Sequence, residues 1–352
     1  MRRQQISFFD SACGFEICGI VRRHSWANSA RPAPPICTRT LRFLGTSIGC
    51  VAGSFSFHWK TRSSLFCRYG NAFCAFPGGP SFSRRRFDSH GCRSRQWLAH
   101  STGGAQALPD ALARHLEGLG GRIEINHEIT QLPEADLILA DITPRQLLRI
   151  AGSQLPSRYC RRLERFRYGA GAYKIDYALR APIPWAAPEC SRAATVHIGG
   201  TLEEIVESEQ TFTSDRPFVL LGQPSLFDPS RAPVGRHTAW AYCHVPNGSA
   251  EDYTESIERQ ITRFAPDFRD CILARSVSSP AALERWNPNL IGGDFVGGAM
   301  DFRQLLFRPT PSLYRTPRSN LYLCGASTPP GGGVHGMSGY HAAMTALAHL
   351  TR

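Results

Sequence analysis

From Leu321 to Ala343 the chain reads Leu-Tyr-Leu-Cys-Gly-Ala-Ser-Thr-Pro-Pro-Gly-Gly-Gly-Val-His-Gly-Met-Ser-Gly-Tyr-His-Ala-Ala. This pattern is a short apolar strand, a glycine-rich loop, and a helix opening within one or two residues of His335. Gly331, Gly332, Gly333, Gly336 and Gly339 carry no side-chain bulk, so the backbone can approach something flat and polar. The helix start adds unpaired N–H groups and the positive end of a macrodipole, about half an elementary charge. Together they suit a ligand with negative charge, such as a phosphate or the reduced form of a flat redox ring. The same composition also serves as a plain structural corner between strand and helix.

Charge divides the chain far upstream of this segment. Residues 1–100 hold 15 basic residues against Asp10, Glu16 and Asp88, a net of +12, which is also the net of all 352 residues. The basic character therefore belongs to one segment, and the remainder is neutral. Seven of the twelve cysteines also fall there, at 13, 18, 37, 50, 67, 74 and 92.

Four readings of that segment compete. An organellar transit peptide is rich in Arg and Ser and poor in acids, but a hundred residues with seven cysteines is long for one. A nucleic-acid-binding arm would use the charge, densest at Arg84-Arg85-Arg86. However, the segment contains no Cys-x-x-Cys pair for zinc. A secretory signal needs a longer apolar run than Ile6-Ser-Phe-Phe supplies. The fourth reading is a coding region read out of frame, which gives excess Arg, Ser, Cys and Gly with few acids. The abrupt change near Leu98 fits this last reading best, and it predicts poor packing and no persistent periodicity over 1–98.

Downstream, the pattern is orderly. Leu108, Leu112, Leu116 and Leu119 predict a helix over 106–119, ended by Gly120-Gly121. Arg122–Asn126 alternates as a strand, and Ala135–Ala140 reads as a short buried one, followed by a helix starting over 141–148. From about Tyr159 longer strands are predicted at 173–179, 195–198, 218–222 and 238–245. Amphipathic helices are predicted at 202–209 and 252–264. Asn287–Gly298 is a glycine-rich return.

The segment from Leu321 to Ala343 resembles the carboxy-terminal signature of phytoene dehydrogenase-like, FAD/NAD(P)-dependent oxidoreductases. Weaker likeness extends through Asn287-Pro-Asn289, Gly292-Gly293-Asp294 and Trp240–Gly248 back to Gly103–Leu108, about 250 residues in all. The resemblance implies an α/β fold: an incomplete Rossmann-like FAD-binding domain with an inserted substrate domain of β-sheet plus helices. Its divisions are 1–98 unassigned, 99–158 cofactor domain, 159–305 substrate domain and 306–352 closing part of the cofactor domain. It implies that Gly325, Ala326, Ser327 and Thr328 pass under the flavin. Gly332, Gly333, Val334, His335, Gly336 and Met337 would hold the pyrimidine end of the ring, and the 287–298 return would lie near it. Residues near Glu128 to Thr130 would approach the adenosine side.

A complete member of that family opens with Gly-x-Gly-x-x-Gly on a helix start and an acid about 20 residues on. Residues 1–100 contain no such run. The literal match at Gly331, Gly333 and Gly336 comes too late after its strand and has only sixteen residues behind it. It therefore reads as the ring loop, and one of two cofactor grips is absent. The implied function is an FAD-dependent desaturase or dehydrogenase acting on an apolar substrate, isoprenoids among the candidates. The alternative is an inactive family member without stable FAD, or an interaction module. Ser225, Ser327 and Ser338 lack the Gly-x-Ser-x-Gly setting of a hydrolase. His197, His237, His244 and His341 lack metal spacing, so no metal is expected. Nucleic acid ranks below a small apolar substrate as partner. The expected location is cytoplasmic, with peripheral membrane contact as an option, since no stretch reaches about 18 apolar residues.

Overall fold

The computed structural model describes residues 19–21, 72–75, 103–213 and 215–350. The strands are β1 (Gly19–Val21), β2 (Ala72–Ala75), β3 (Leu137–Ala140), β4 (Gly171–Leu179), β5 (Thr195–Ile198), β6 (Val219–Gly222), β7 (His237–Val245), β8 (Ile272–Ser278) and β9 (Leu321–Leu323). The helices are α1 (Ala107–Gly118), α2 (Pro144–Ala151), α3 (Ser157–Glu164), α4 (Leu202–Thr211), α5 (Thr254–Thr262), α6 (Phe268–Cys271), α7 (Pro280–Trp286), α8 (Phe302–Phe307) and α9 (Met337–Leu350). Apart from β1 and β2, the expectations for residues 1–98 lie outside the described residues.

Two sheets organise the chain, in orders β1-β3-β9 and β2-β5-β6-β7-β4-β8. In the first, Ile138, Leu139 and Ala140 pair in parallel with Leu321, Tyr322 and Leu323. Parallel neighbours need a crossover between them. Here the crossover contains β4 to β8, five of the six strands of the second sheet, so the first sheet is built from both ends of the described sequence. Ile138, Leu147, Ala151, Leu155, Tyr159, Leu163, Leu321 and Leu323 form its core. Thr143 is extended and Pro144 occupies the first turn of α2, where a missing N–H costs nothing. Tyr159 and Leu163, four apart, put α3 in this same core. The change of texture expected at 159 therefore falls after α3, at Gly171.

In the second sheet, β4 and β7 pair over all nine residues, Gly171 with Val245 through Leu179 with His237. Alternation then sorts the side chains. Tyr173, Ile175, Tyr177 and Leu179 join Ala239, Ala241, Cys243 and Val245 in a core closed by Ile257 and Ile261 of α5 and by Phe268. Helix α4 begins with a reciprocal cap: Glu204 N–H donates to Thr201 Oγ1, and Thr201 N–H donates to the Glu204 carboxylate. Thr201→Ala is expected to cost about 1 kcal/mol in urea unfolding.

The structure departs from the sequence pattern at three places. Arg122–Asn126 forms no strand: Ile123 and Ile125 are exposed, and Asn126 adopts φ 58°. An alternating run specifies one face of a contact, and among the described residues no neighbouring strand pairs with it. Helix α1 forms as expected, yet Leu108, Leu112 and Leu119 are exposed for the same reason. Conversely, β8 was not anticipated, because its Leu273, Arg275 and Val277 are exposed on an edge and give no clean apolar face.

Candidate functional site: a glycine bend at the ends of two parallel strands

Strands β3 and β9 stop side by side, at Ala140 and Leu323. The carboxyl ends of parallel strands are where open α/β sheets present ligand crevices. After β9 the chain makes a tight turn at Gly325. Thr328 donates to the Gly325 carbonyl from both its N–H (2.9 Å) and its hydroxyl (2.7 Å). Ser327 Oγ donates to the Gly297 carbonyl at 2.8 Å. Both side chains are 1% exposed. Of the expected ligand residues Gly325 to Thr328, the two hydroxyls are thus turned inward and hold the loop, leaving backbone and Ala326 for any ligand.

The bend proper follows. Gly331 N–H donates to the Thr328 carbonyl (2.8 Å), and Tyr314 OH donates to the Pro329 carbonyl (3.0 Å). Gly332 lies so close to the 294–298 loop that a Cβ would sit 2.8 Å from the Val296 carbonyl oxygen. Gly333 has φ 147°, and a Cβ there would meet the His335 ring at 2.8 Å. These two positions admit glycine alone without rearrangement. Gly332, Gly333, Val334, His335 and Gly336 are all exposed, with the His335 ring lying against Gly333. Met337 opens α9, as expected.

His335 resolves two roles at once. Its Nδ1 accepts the Met337 N–H at 3.0 Å, satisfying one of the unpaired donors of the helix start. Desolvation holds its pKa below the usual histidine value. A neutral ring accepting at Nδ1 carries its proton on Nε2, which makes Nε2 a donor.

Beneath the bend, residues 294–298 are held from both sides. Asp294 is 1% exposed; it accepts the N–H groups of Val296 (2.8 Å), Gly297 (3.1 Å) and Gly169 (2.7 Å). Arg308 is 0% exposed and donates to the Gly297 carbonyl (2.9 Å), with a longer contact to that of Val296 (3.5 Å). Its Nη1 faces Gly331, 3.0 Å from where a Cβ would be. Its Nε is buried without a hydrogen bond, and burial lowers its pKa from the usual arginine value. The 287–298 return also docks on α2: Asn289 Oδ1 accepts the Thr143 N–H at 2.7 Å. This return, expected from the sequence to lie near the flavin, abuts the bend where Val296 meets Gly332.

Asp141 was read from sequence only as a helix start. It directly follows β3, and a Cβ on Gly325 would lie 2.4 Å from its Oδ1. Burial pushes its carboxyl up to about 6. A single acid after a short buried strand was the available signal. Arg308 had none, since an arginine before a proline in a loop is ordinary. Glu128, expected near an adenosine, forms an exposed 3.5 Å ion pair with Arg149. Among the described residues no group of three His, Cys, Asp or Glu is placed to hold a metal.

Flavin fit can be tested on these residues. An open backbone bend, a helix start and one neutral imidazole donor suit the polar edge of an isoalloxazine ring. Among the described residues no second glycine loop offers the same to a pyrophosphate.

No family model matches. The pyridine nucleotide-disulfide oxidoreductase domain-containing protein 2 of Rattus norvegicus is 29% identical over 253 residues, covering 64% of this chain and 42% of that protein. The 4,4'-diapolycopen-4-al dehydrogenase of Metabacillus indicus is 31% identical over 143 residues, covering 38% and 28%. The lycopene-forming phytoene desaturase of Pseudescherichia vulneris is 23% identical over 281 residues, covering 69% and 54%. The chain thus spans between about a quarter and just over half the length of these relatives. With the glycine bend at the ends of β3 and β9, these likenesses make the chain similar, over part of its length, to phytoene dehydrogenase-like oxidoreductases.

Proposed function

We propose that the chain is an FAD-dependent desaturase or dehydrogenase acting on an apolar substrate. The observation that carries this reading is the exposed bend Gly332–Gly336 at the start of α9. When bound, FAD would supply the two-electron chemistry, taking a hydride from the substrate. The chain's own residues bind and orient. The backbone of 331–336 and His335 would hold the ring, and Asp294 with Arg308 fixes the platform below. Asp141, its carboxyl pushed up to about 6 by burial, would exchange a proton at the strand ends just below neutral pH. Among the described residues no helix is long and apolar enough to cross a membrane.

The test is direct. The purified chain is expected to be yellow with flavin absorption, and Gly332→Val, which drives a side chain into the Val296 carbonyl, is expected to release the colour. A folded, colourless wild-type chain would rule the reading out. One observation favours a second reading, a family member that lacks stable FAD and works as an interaction module. Leu108 and Leu112 of α1, with Tyr340, Met344 and Leu347 of α9, form exposed apolar faces.

A further inference from the structure

Arg308 brings more charge to the platform than its hydrogen bonds there require. It is fully buried, so its five N–H donors must find partners inside the protein. Nη2 reaches the carbonyls of Gly297 (2.9 Å) and Val296 (3.5 Å). Nη1 reaches the Met300 sulfur at 3.6 Å, and a thioether is a weak acceptor. Nε has no hydrogen bond. A neutral donor could serve the two carbonyls, and burying a full charge to do so is far more costly.

Two glycines make room for this charge. At Gly298 (φ 146°) a Cβ would sit 2.9 Å from Nη2, and at Gly331 (φ 108°) one would sit 3.0 Å from Nη1. Gly331 is the first glycine of the bend, so Nη1 lies against the backbone of the bend with no side chain between them. The neighbouring acids are engaged elsewhere. Asp294 accepts three backbone N–H groups, Asp301 pairs with Arg167 at 2.6 Å, and Asp141 abuts Gly325. Arg308 is therefore a cation held against the bend with no carboxylate among the described residues at ion-pair distance. The positive end of α9 adds to its field. Away from water such a field is strong, and a fixed charge stabilises opposite charge nearby without reorganisation. The oxidised ring of a flavin is neutral, and two electrons with one proton leave it negatively charged.

We propose that Arg308 sets the reduction potential of a flavin held at the bend, favouring the negatively charged reduced ring across the backbone of Gly331. The guanidinium is sealed from solvent, so it acts through its field and not by contact. A higher potential makes the ring a better acceptor of hydride from an unactivated C–H bond. The proposal deepens the oxidoreductase reading above and rests on it.

The test uses the full chain loaded with FAD. Its potential is read against a reference dye, and its affinity for sulfite by bleaching of the flavin band. Sulfite adds to the oxidised ring and leaves it negatively charged, so it reports the same stabilisation by a second route. Arg308→Met keeps the volume and removes the charge. It is expected to weaken sulfite binding about tenfold and to lower the potential by about 30 mV, the two-electron equivalent of a tenfold change. Arg308→Lys keeps the charge without the planar fork, and both readings are expected to stay close to wild type. Asp294→Asn removes negative charge from the same platform and is expected to shift both readings in the opposite direction. A merely structural role would lower flavin retention in the variants and leave the potential of the flavin still bound unchanged, which overturns the proposal. Equal shifts in Arg308→Met and Arg308→Lys overturn it as well. A wild-type chain that takes up no FAD overturns the oxidoreductase reading and this proposal with it, and that failure is visible before any potential is measured.

Discussion

Arg308→Ala is expected to destabilise the chain by about 3–5 kcal/mol, measured by urea unfolding with the slope unchanged. The guanidinium is 0% exposed and donates to the carbonyl of Gly297, while touching Val296 and facing Gly331. Truncation empties a cavity and strands those carbonyl oxygens away from water. Arg308→Met separates shape from charge. Among the described residues no carboxylate lies within ion-pair distance of this cation, so its charge is desolvated without a direct counter-ion. Methionine fills the space without that charge, and the loss should fall to about 1–2 kcal/mol, the cost of the unpaired carbonyl. Equal losses for the two variants would mean that hydrogen bonding, and not packing, accounts for the site. A loss below about 1 kcal/mol for Arg308→Ala would remove Arg308 from the platform altogether.

Arg308 also marks the limit of what sequence reveals here. The bend itself was legible because glycine is the one residue whose identity reports backbone conformation directly. Gly333 at φ 147° and the close approach of Gly332 are what its composition demanded. The long strands β4 and β7 were legible because one face is wholly buried, which forces strict alternation. The platform beneath the bend was not legible. Asp294 and Arg308 act on backbone amides and carbonyls, so neither needs a partner side chain that a pattern could display. Helix α1 formed as the pattern predicts and the run 122–126 formed no strand, but both miss the burial their patterns imply. Their apolar periodicity specifies a buried face, and Leu108, Leu112, Ile123 and Ile125 stand exposed. A sequence pattern records the contact it was shaped for, whether or not the neighbour is in place.

Asp141→Asn is expected to stabilise the chain, and only above the acid range. Burial raises the folded-state carboxyl to about 6 from its ordinary 3.8. Between those values the folded state holds a proton that the unfolded state has released. Stability therefore falls as pH rises from about 4 to 6 and stays low above it. Two units correspond to about 3 kcal/mol at full effect, and partial solvent access reduces that to about half in measurement. The asparagine keeps the shape and has no charge to desolvate, so its advantage should be near zero at pH 4 and about 1.5–3 kcal/mol at pH 7. Paired urea titrations at those pH values supply the check. An advantage that is the same at both would place its origin in packing and not in ionisation. A charge retained at such a cost, against Gly325 and at the ends of two parallel strands, is what a site that handles protons near neutral pH requires. Stability gained by removing Asp141, together with loss of turnover in a flavin-loaded chain, would tie that residue to the chemistry of the bend.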